Sequence, residues 1–148
     1  MYKRQPRRDP KGHAYGTSEL PPPSVSPSRW RENATYLYGV DLYNHAYWWE
    51  CHEALEGLWH LTGHQGTESQ FLQGIIQVAA ANLKRHVGSI EAARRLGREG
   101  MGRLASVRAR SFMGVELGPF IRAVNDYHID EDCFVIPLIR LDFDDVVD

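Results

Sequence analysis

The sequence has few cysteines and lacks any long apolar run. Only Cys51 and Cys133 are present among 148 residues, which is too few for a disulfide framework, so we expect both to be reduced thiols. No apolar stretch approaches the ~20 residues needed to span a bilayer, and no apolar segment follows the basic start to make a secretory signal. These absences predict a soluble, cytoplasmic protein with no membrane partner.

Charge is unevenly distributed along the chain. Residues 1–28 carry a net charge of +3, and the remainder carries −5. The first segment also contains the run Pro21-Pro22-Pro23 and few large apolar side chains. Such a segment buries too little surface to offset its ordering entropy. We therefore predict a flexible, basic, proline-rich arm over 1–28 and a single domain over 29–148.

Apolar residues recur at helical spacing through most of this domain. The pattern predicts helices over 29–43, 47–61, 67–86, 90–108 and 119–126. Ser28 and Ser89 are the expected N-caps of the first and fourth helices, and Thr67 to Gln70 has capping-box spacing. Small residues along one face of the fourth helix predict the close approach of a neighbouring helix.

The C-terminal part has a different pattern. The segment from Phe134 to Ile139 is apolar with Pro137 at its centre, which favours an extended strap over a central strand. The basic stretch 84–110 and the acidic stretch 126–148 are expected either to be solvated or to lie against each other. The predicted fold is all-α, a compact bundle of about five helices with a flexible N-terminal arm and an irregular C-terminal strap.

The second predicted helix carries the most informative polar residues. Winding at about 100° per residue places His52 at the border of the apolar face, and Glu56 follows one turn later as its neighbour. Glu53 lies further round the helix, and Glu50 is expected to be mostly solvated. His52 and Glu56 are therefore the centre of the candidate site.

The third predicted helix offers two matching amides. Gln73 and Gln77 lie at i and i+4, so antiparallel packing would let them meet His52 and Glu56 across the interface. Asn44 could reach the same cavity or cap the second helix. Half-buried polar groups must find hydrogen bonds, so this cluster is either a self-satisfied structural network or a functional site.

Three interpretations of the cluster stay open. It can fix the register of the bundle, or His52 can act as a general acid/base oriented by Glu56. The third is a metal site, since His52, Glu56 and His60 have one-turn spacing, although the zincin motif is absent. Metal binding is the least favoured of the three, and the sequence identifies no cofactor.

The same region resembles a known family. The stretch from Tyr38-Gly39 through Trp59 resembles the signature of the family called domain of unknown function 309, Phe71 to Ala79 resembles its second block, and Gly88 with Glu91 to Leu96 resembles a third, looser block. The resemblance covers about residues 30–107, and the basic arm and acidic C-terminal segment depart from it. It implies a compact helical bundle, found largely in bacteria and archaea, with no established activity. It points to seven positions: Asn44, His52, Glu53, Glu56, Trp59, Gln73 and Gln77.

The expected function is binding of a small ligand or acid/base chemistry. His52, Glu56 and Glu53 are the candidate catalytic residues, and the candidate ligand-binding residues are Asn44, Gln73, Gln77 and Trp59. An alternative is a structural or protein-interaction module, since three tryptophans lie within the second helix and aromatic residues favour interfaces. Trp49 would then serve a homodimer.

Nucleic acid is a less favoured partner. The arginines of the fourth predicted helix, together with the basic arm, suit phosphate groups, and such binding would weaken steeply with salt. These residues are Arg94, Arg95, Arg98, Arg103 and Arg108. However, no aromatic stacking platform accompanies them, and the domain outside the arm is net acidic.

Overall fold

The computed structural model describes residues 26–144. The predicted arm, 1–28, lies outside these residues except for its last three, as do the last four residues of the acidic C-terminal stretch. Within the described part of the chain, no helix is long and apolar enough to cross a membrane.

The chain is mostly helical, as predicted. Within residues 26–144, a short 3₁₀ helix precedes five α-helices, and a two-stranded hairpin separates the fourth α-helix from the fifth. In chain order the elements are the 3₁₀ helix Pro27–Glu32, α1 Ala34–Asn44, α2 Trp48–Leu61, α3 Thr67–His86, α4 Ile90–Ala105, β1 Ser111–Phe112, β2 Val115–Glu116 and α5 Leu117–Ile129.

The first α-helix begins later than predicted. The expected N-cap, Ser28, lies inside the 3₁₀ helix, whereas Asn33 caps α1 by accepting a hydrogen bond at Oδ1 from the amide of Tyr36 (3.0 Å). Both residue types are good N-caps, so the choice depends on packing. The ring of Trp30 is fully buried, which anchors the 3₁₀ helix against the core.

Helices α2 and α3 pack antiparallel. At one end of the pair, Trp59 Nε1 donates to Ser69 Oγ (3.1 Å), and at the other end the rings of Trp48 and His86 lie 6.2 Å apart. Helix α3 spans the predicted residues, but Gly66, with φ of +92°, is its N-cap. The capping-box pattern therefore marked the correct start and the wrong capping residue.

The small residues of α4 allow close helix packing, as predicted. A Cβ at Gly100 would lie 2.9 Å from the carbonyl oxygen of Gly74 in α3, and also 2.9 Å from a methyl of Val78. The helix ends at Ala105, earlier than the predicted 108. Ser89 is at the N-cap position, although its side chain makes no capping hydrogen bond.

The hairpin and the start of α5 differ from the prediction. Strands β1 and β2 pair antiparallel, Phe112 opposite Val115, and sequence periodicity cannot reveal strands of two residues. Helix α5 begins at Leu117 and continues to Ile129, so it extends beyond the predicted 119–126 at both ends. Pro119 is tolerated because the first helical turn has no partners for its amides.

The predicted strap crosses the bundle as an extended segment. Tyr43 Oη donates to the carbonyl of Pro137 (2.6 Å), and Ile139 is buried. Leu141 then forms an isolated antiparallel bridge with Val115. The strap therefore closes one side of a core built by the α-helices and the hairpin.

The link between α5 and the strap is held by two arginine side chains. The guanidinium of Arg85, near the end of α3, donates to the backbone carbonyls of Tyr127, Asp130, Glu131 and Cys133. Arg94 of α4 also pairs with the carboxylate of Glu131 (3.0 Å). At this pair the basic and acidic segments of the sequence lie against each other.

Candidate functional site

The predicted pair on α2 is formed. His52 Nε2 lies 3.7 Å from Glu56 Oε2, and the two side chains are 28% and 45% exposed. The imidazole is stacked on the indole of Trp49, with ring centroids 5.5 Å apart and planes only 3° apart. Nδ1 of His52 is buried and has no hydrogen-bond partner within residues 26–144. The ring is therefore fixed in orientation while one of its nitrogens faces a carboxylate.

The two predicted amides do not share one environment. Gln77 Oε1 accepts from Arg103 Nε (3.0 Å), and the same guanidinium also donates to Gln70 Oε1 (3.1 Å). Gln77 therefore faces α4. Gln73 is half-buried. Around the axis of α3 it lies about 40° from Ser69, which contacts α2, but about 100° from Gly74, which contacts α4. Gln73 is thus the amide nearer to α2.

Asn44 has a structural contact in place of the expected cavity or capping role. Its Nδ2 donates to the carbonyl of Ile139 and its Oδ1 accepts from the amide of Ile139, both at 2.8 Å. This two-point contact mimics one rung of a β-ladder and fastens the strap to the end of α1. No side-chain capping bond starts α2.

The other polar side chains of α2 lie in different surroundings. Trp59 is half-buried and stacks on His64 with centroids 3.9 Å apart. Glu53 is also half-buried. Glu50, expected to be mostly solvated, is only 4% exposed, so that expectation was wrong. This buried carboxylate escaped the sequence analysis.

The structure does not bring His52, Glu56 and His60 together as metal ligands. Within residues 26–144, no group of three or more histidine, cysteine, aspartate or glutamate side chains is placed to hold a metal ion. His60 Nδ1 instead lies 2.8 Å from His64 Nε2 at the exposed end of α2. Both cysteines are free, with Cys51 buried.

The comparison with protein families identifies the segment that contains the pair. Residues 36–96 match the model of the family described as Domain of unknown function (DUF309). The resemblance is confirmed. The DUF309 match contains all seven positions to which the resemblance points, from Asn44 to Gln77, and no curated protein matches the chain.

The arginines proposed for phosphate binding are partly engaged within the molecule. Arg94 pairs with Glu131, and Arg95 lies 3.8 Å from Glu99. Arg103 binds Gln70 and Gln77 of α3. These intramolecular contacts reduce the free positive charge that α4 presents to a nucleic acid.

A buried polar relay connects the DUF309 segment with α5, and sequence reasoning missed it. Tyr43 Oη donates to the carbonyl of Pro137 (2.6 Å), Asn82 Nδ2 donates to Tyr43 Oη (3.0 Å), and Asn82 Oδ1 lies 2.7 Å from Nε2 of His128. Burial lowers the pKa of His128 to about 4, and the positive charge of Arg85 adds to this effect. His128 is therefore neutral at pH 7.

The direction of every hydrogen bond in this relay follows from its first member. The carbonyl of Pro137 can only accept, so Tyr43 is the donor to it and accepts from the amide nitrogen of Asn82. The amide oxygen of Asn82 must then accept from His128, which places the single proton of the neutral ring on Nε2. Nδ1 of His128 is left as an acceptor, buried and without a partner within the described residues.

Proposed function

We propose that this protein binds a small polar ligand at the edge of α2, with His52 as the group that exchanges a proton or a hydrogen bond with it. The supporting observation is the held imidazole: it is stacked on Trp49, its Nε2 is 3.7 Å from Glu56, and its Nδ1 is buried without a hydrogen-bond partner within residues 26–144. An oriented, partly exposed imidazole beside a carboxylate suits ligand binding and general acid/base chemistry.

The roles of the remaining predicted residues follow from their contacts. Glu56 would orient the ring, and Gln73 is the amide best placed to contact a ligand from α3. Glu53 stays a candidate on the same helix. Gln77, Asn44 and Trp59 are engaged with Arg103, Ile139 and Ser69, so in this proposal they support the site without contacting the ligand.

A ligand screen with matched histidine variants tests the proposal. Thermal unfolding of wild type, His52→Ala and His60→Ala would be measured against a panel of small carboxylates, amines, sugars and nucleosides. A true ligand raises Tm by mass action, and we expect that shift in wild type and His60→Ala but not in His52→Ala. Ligands that stabilise all three proteins equally, or a panel with no ligand for the wild type, would contradict the proposal.

A change that removes the charge of the neighbouring carboxylate, but keeps its size, separates orientation from packing. Glu56→Gln keeps the side-chain size while removing the negative charge beside His52. We expect unchanged Tm without ligand, because the carboxylate is about half exposed, and an affinity reduced about tenfold. Unchanged affinity would remove Glu56 from the site.

The proposal also includes a cytoplasmic location. Cys51 and Cys133 are unpaired, and reduced thiols persist in reducing compartments. Fractionation of cells expressing the tagged full-length chain would test this. Recovery outside the cytoplasm would contradict it.

The strap favours a second candidate function, association with another copy of the chain. Phe134 and Val135 are 81% and 75% exposed, whereas Trp49 is stacked on His52. A second chain would cover these apolar side chains. Light scattering should detect a dimer for the wild type and a monomer for Phe134→Asp. A monomer for both at high concentration would exclude this function.

A further inference from the structure

A second concave site lies between α4 and α5, away from the edge of α2. It has a volume of about 340 Å³ and is lined by Arg94, Arg98, Met101, His128 and Ile129. This volume is near the lower end of the range for small-molecule pockets. Met101 and Ile129 give the concavity an apolar floor, and Ile129 is still 60% exposed. A bound apolar group would cover this surface.

Two guanidinium groups lie at the same concavity. Arg94 binds the carboxylate of Glu131 at 3.0 Å, which shows that a carboxylate can occupy this position. The guanidinium of Arg98 makes no hydrogen bond or ion pair with any other residue of 26–144. Arginine is well suited to bind carboxylates because its planar fork donates two parallel hydrogen bonds. The site therefore has one cation shared with Glu131 and one available to a ligand.

His128 supplies a third feature, a hydrogen-bond acceptor. The relay from Pro137 places the ring proton on Nε2, and Nδ1 keeps its lone pair without a partner. The residue is only 4% exposed, and its ring packs 3.3 Å from the position of a Cβ at Gly97. A buried acceptor without a partner is destabilising, and an N–H or O–H group of a ligand would satisfy it once a small shift of the lining side chains opens Nδ1 to the concavity.

From these three features together, we propose that the α4–α5 concavity binds a small apolar carboxylate that also carries an N–H or O–H group. The carboxylate binds Arg98 and competes with Glu131 for Arg94. The apolar body covers Met101 and Ile129, and the donor group faces His128. This site shares no residue with the proposed α2 site, and most of it lies outside the DUF309 match.

Three probes separate the contributions of anion, apolar body and donor. Indole-3-acetate has a carboxylate, an aromatic body and an N–H group. Indole lacks the carboxylate, and naphthalene-1-acetate lacks the N–H group. Titration calorimetry should give saturable binding of indole-3-acetate, about tenfold weaker binding of indole and a smaller loss for naphthalene-1-acetate. Equal affinity for indole and indole-3-acetate, or no saturable binding of indole-3-acetate, would overturn the proposal.

Matched charge variants locate the binding. Arg98→Gln should weaken indole-3-acetate about tenfold, whereas Arg95→Gln removes the same charge three residues away, outside this concavity, and should leave affinity unchanged. Glu131→Gln should strengthen binding about threefold because it frees Arg94. Equal losses in Arg98→Gln and Arg95→Gln would overturn the proposal in favour of a general basic surface.

Further measurements show whether the Arg98 variant is folded and whether the ligand binds at the α4–α5 concavity or at the proposed α2 site. Because Arg98 is exposed, its variant should retain the wild-type Tm, and backbone amide shifts on titration should concentrate at residues 97–101 and 128–129. His52→Ala should bind indole-3-acetate as the wild type does. Loss of binding in His52→Ala, with shifts centred on α2, would assign the ligand to the other site and overturn this inference.

Discussion

The amide oxygen of Asn82 lies 2.7 Å from Nε2 of His128 and holds this imidazole in a single neutral tautomer. The contact joins α3 to α5 inside the bundle, where Asn82 is fully buried. Protonating His128 would place a positive charge in this interior. Burial and the nearby positive charge of Arg85 both lower the pKa of His128. The stability of the fold should therefore depend on pH through this residue.

Lowering the pH from 7 to 4 should destabilise the protein through His128. The folded state binds this proton with a pKa of about 4, and the unfolded state with a pKa near 6.5. As the pH falls, His128 is therefore protonated in the unfolded chain before it is protonated in the folded one, which favours unfolding. The free energy of unfolding should fall by on the order of 3 kcal/mol between pH 7 and pH 4. Urea unfolding of wild type and His128→Gln across this range would measure the difference.

His45→Gln is the matched control for this experiment, because His45 is exposed. It should retain the wild-type dependence on pH, while His128→Gln should flatten it. If the wild type and His128→Gln lose stability in parallel down to pH 4, His128 does not titrate as described.

Two glycines of α4 should respond oppositely to alanine. At Gly100 a Cβ would lie 2.9 Å from the carbonyl oxygen of Gly74, so Gly100→Ala must push α3 and α4 apart. We expect a loss of about 2 kcal/mol in the free energy of unfolding. At Gly102 no atom lies within 4 Å of the added Cβ, so Gly102→Ala should gain up to about 1 kcal/mol. Denaturant unfolding distinguishes them, and equal effects would contradict the described helix contact.

Asn44→Ala should release the strap. The change removes both hydrogen bonds to Ile139 and should cost about 1–3 kcal/mol. Hydrogen exchange at the Ile139 amide should accelerate strongly, and the strap should become more sensitive to protease. Asn125→Ala, on the half-exposed side of α5, should change neither measurement. Unaltered exchange at Ile139 in Asn44→Ala would show that the strap is held by other contacts.

Local signals in the sequence predicted the central helices well. The bounds of α3 match the prediction, and α2 differs by one residue at its start. Both helices have apolar residues at regular spacing and a glycine beyond the last turn, so neighbouring residues carry enough information. The contact between His52 and Glu56 was predictable for the same reason, since i and i+4 positions adjoin on any α-helix.

Features that depend on distant residues were not predictable in this way. The hairpin is too short for periodicity, and its turn depends on Gly114, where a Cβ would meet the ring of Trp30 at 2.6 Å. The partner of Asn44 lies 95 residues further along the chain, and that of Asn82 lies 46 residues further. A single sequence shows that Asn44 and Asn82 are polar residues on helices, but it does not show which distant segment of the chain contacts them.

Arg85 lies over the ring of Tyr127 in α5 (4.0 Å), and it holds the segment after α5 through main-chain oxygens, at Asp130, Glu131 and Cys133. Every amino acid provides such an oxygen, so this anchoring places no demand on the identity of the side chains that follow the helix. As far as Arg85 is concerned, substitutions in the segment after α5 should therefore be tolerated, provided that the length of the segment is kept. Arg85 itself has no such freedom, because a lysine lacks the planar fork that reaches several carbonyls at once.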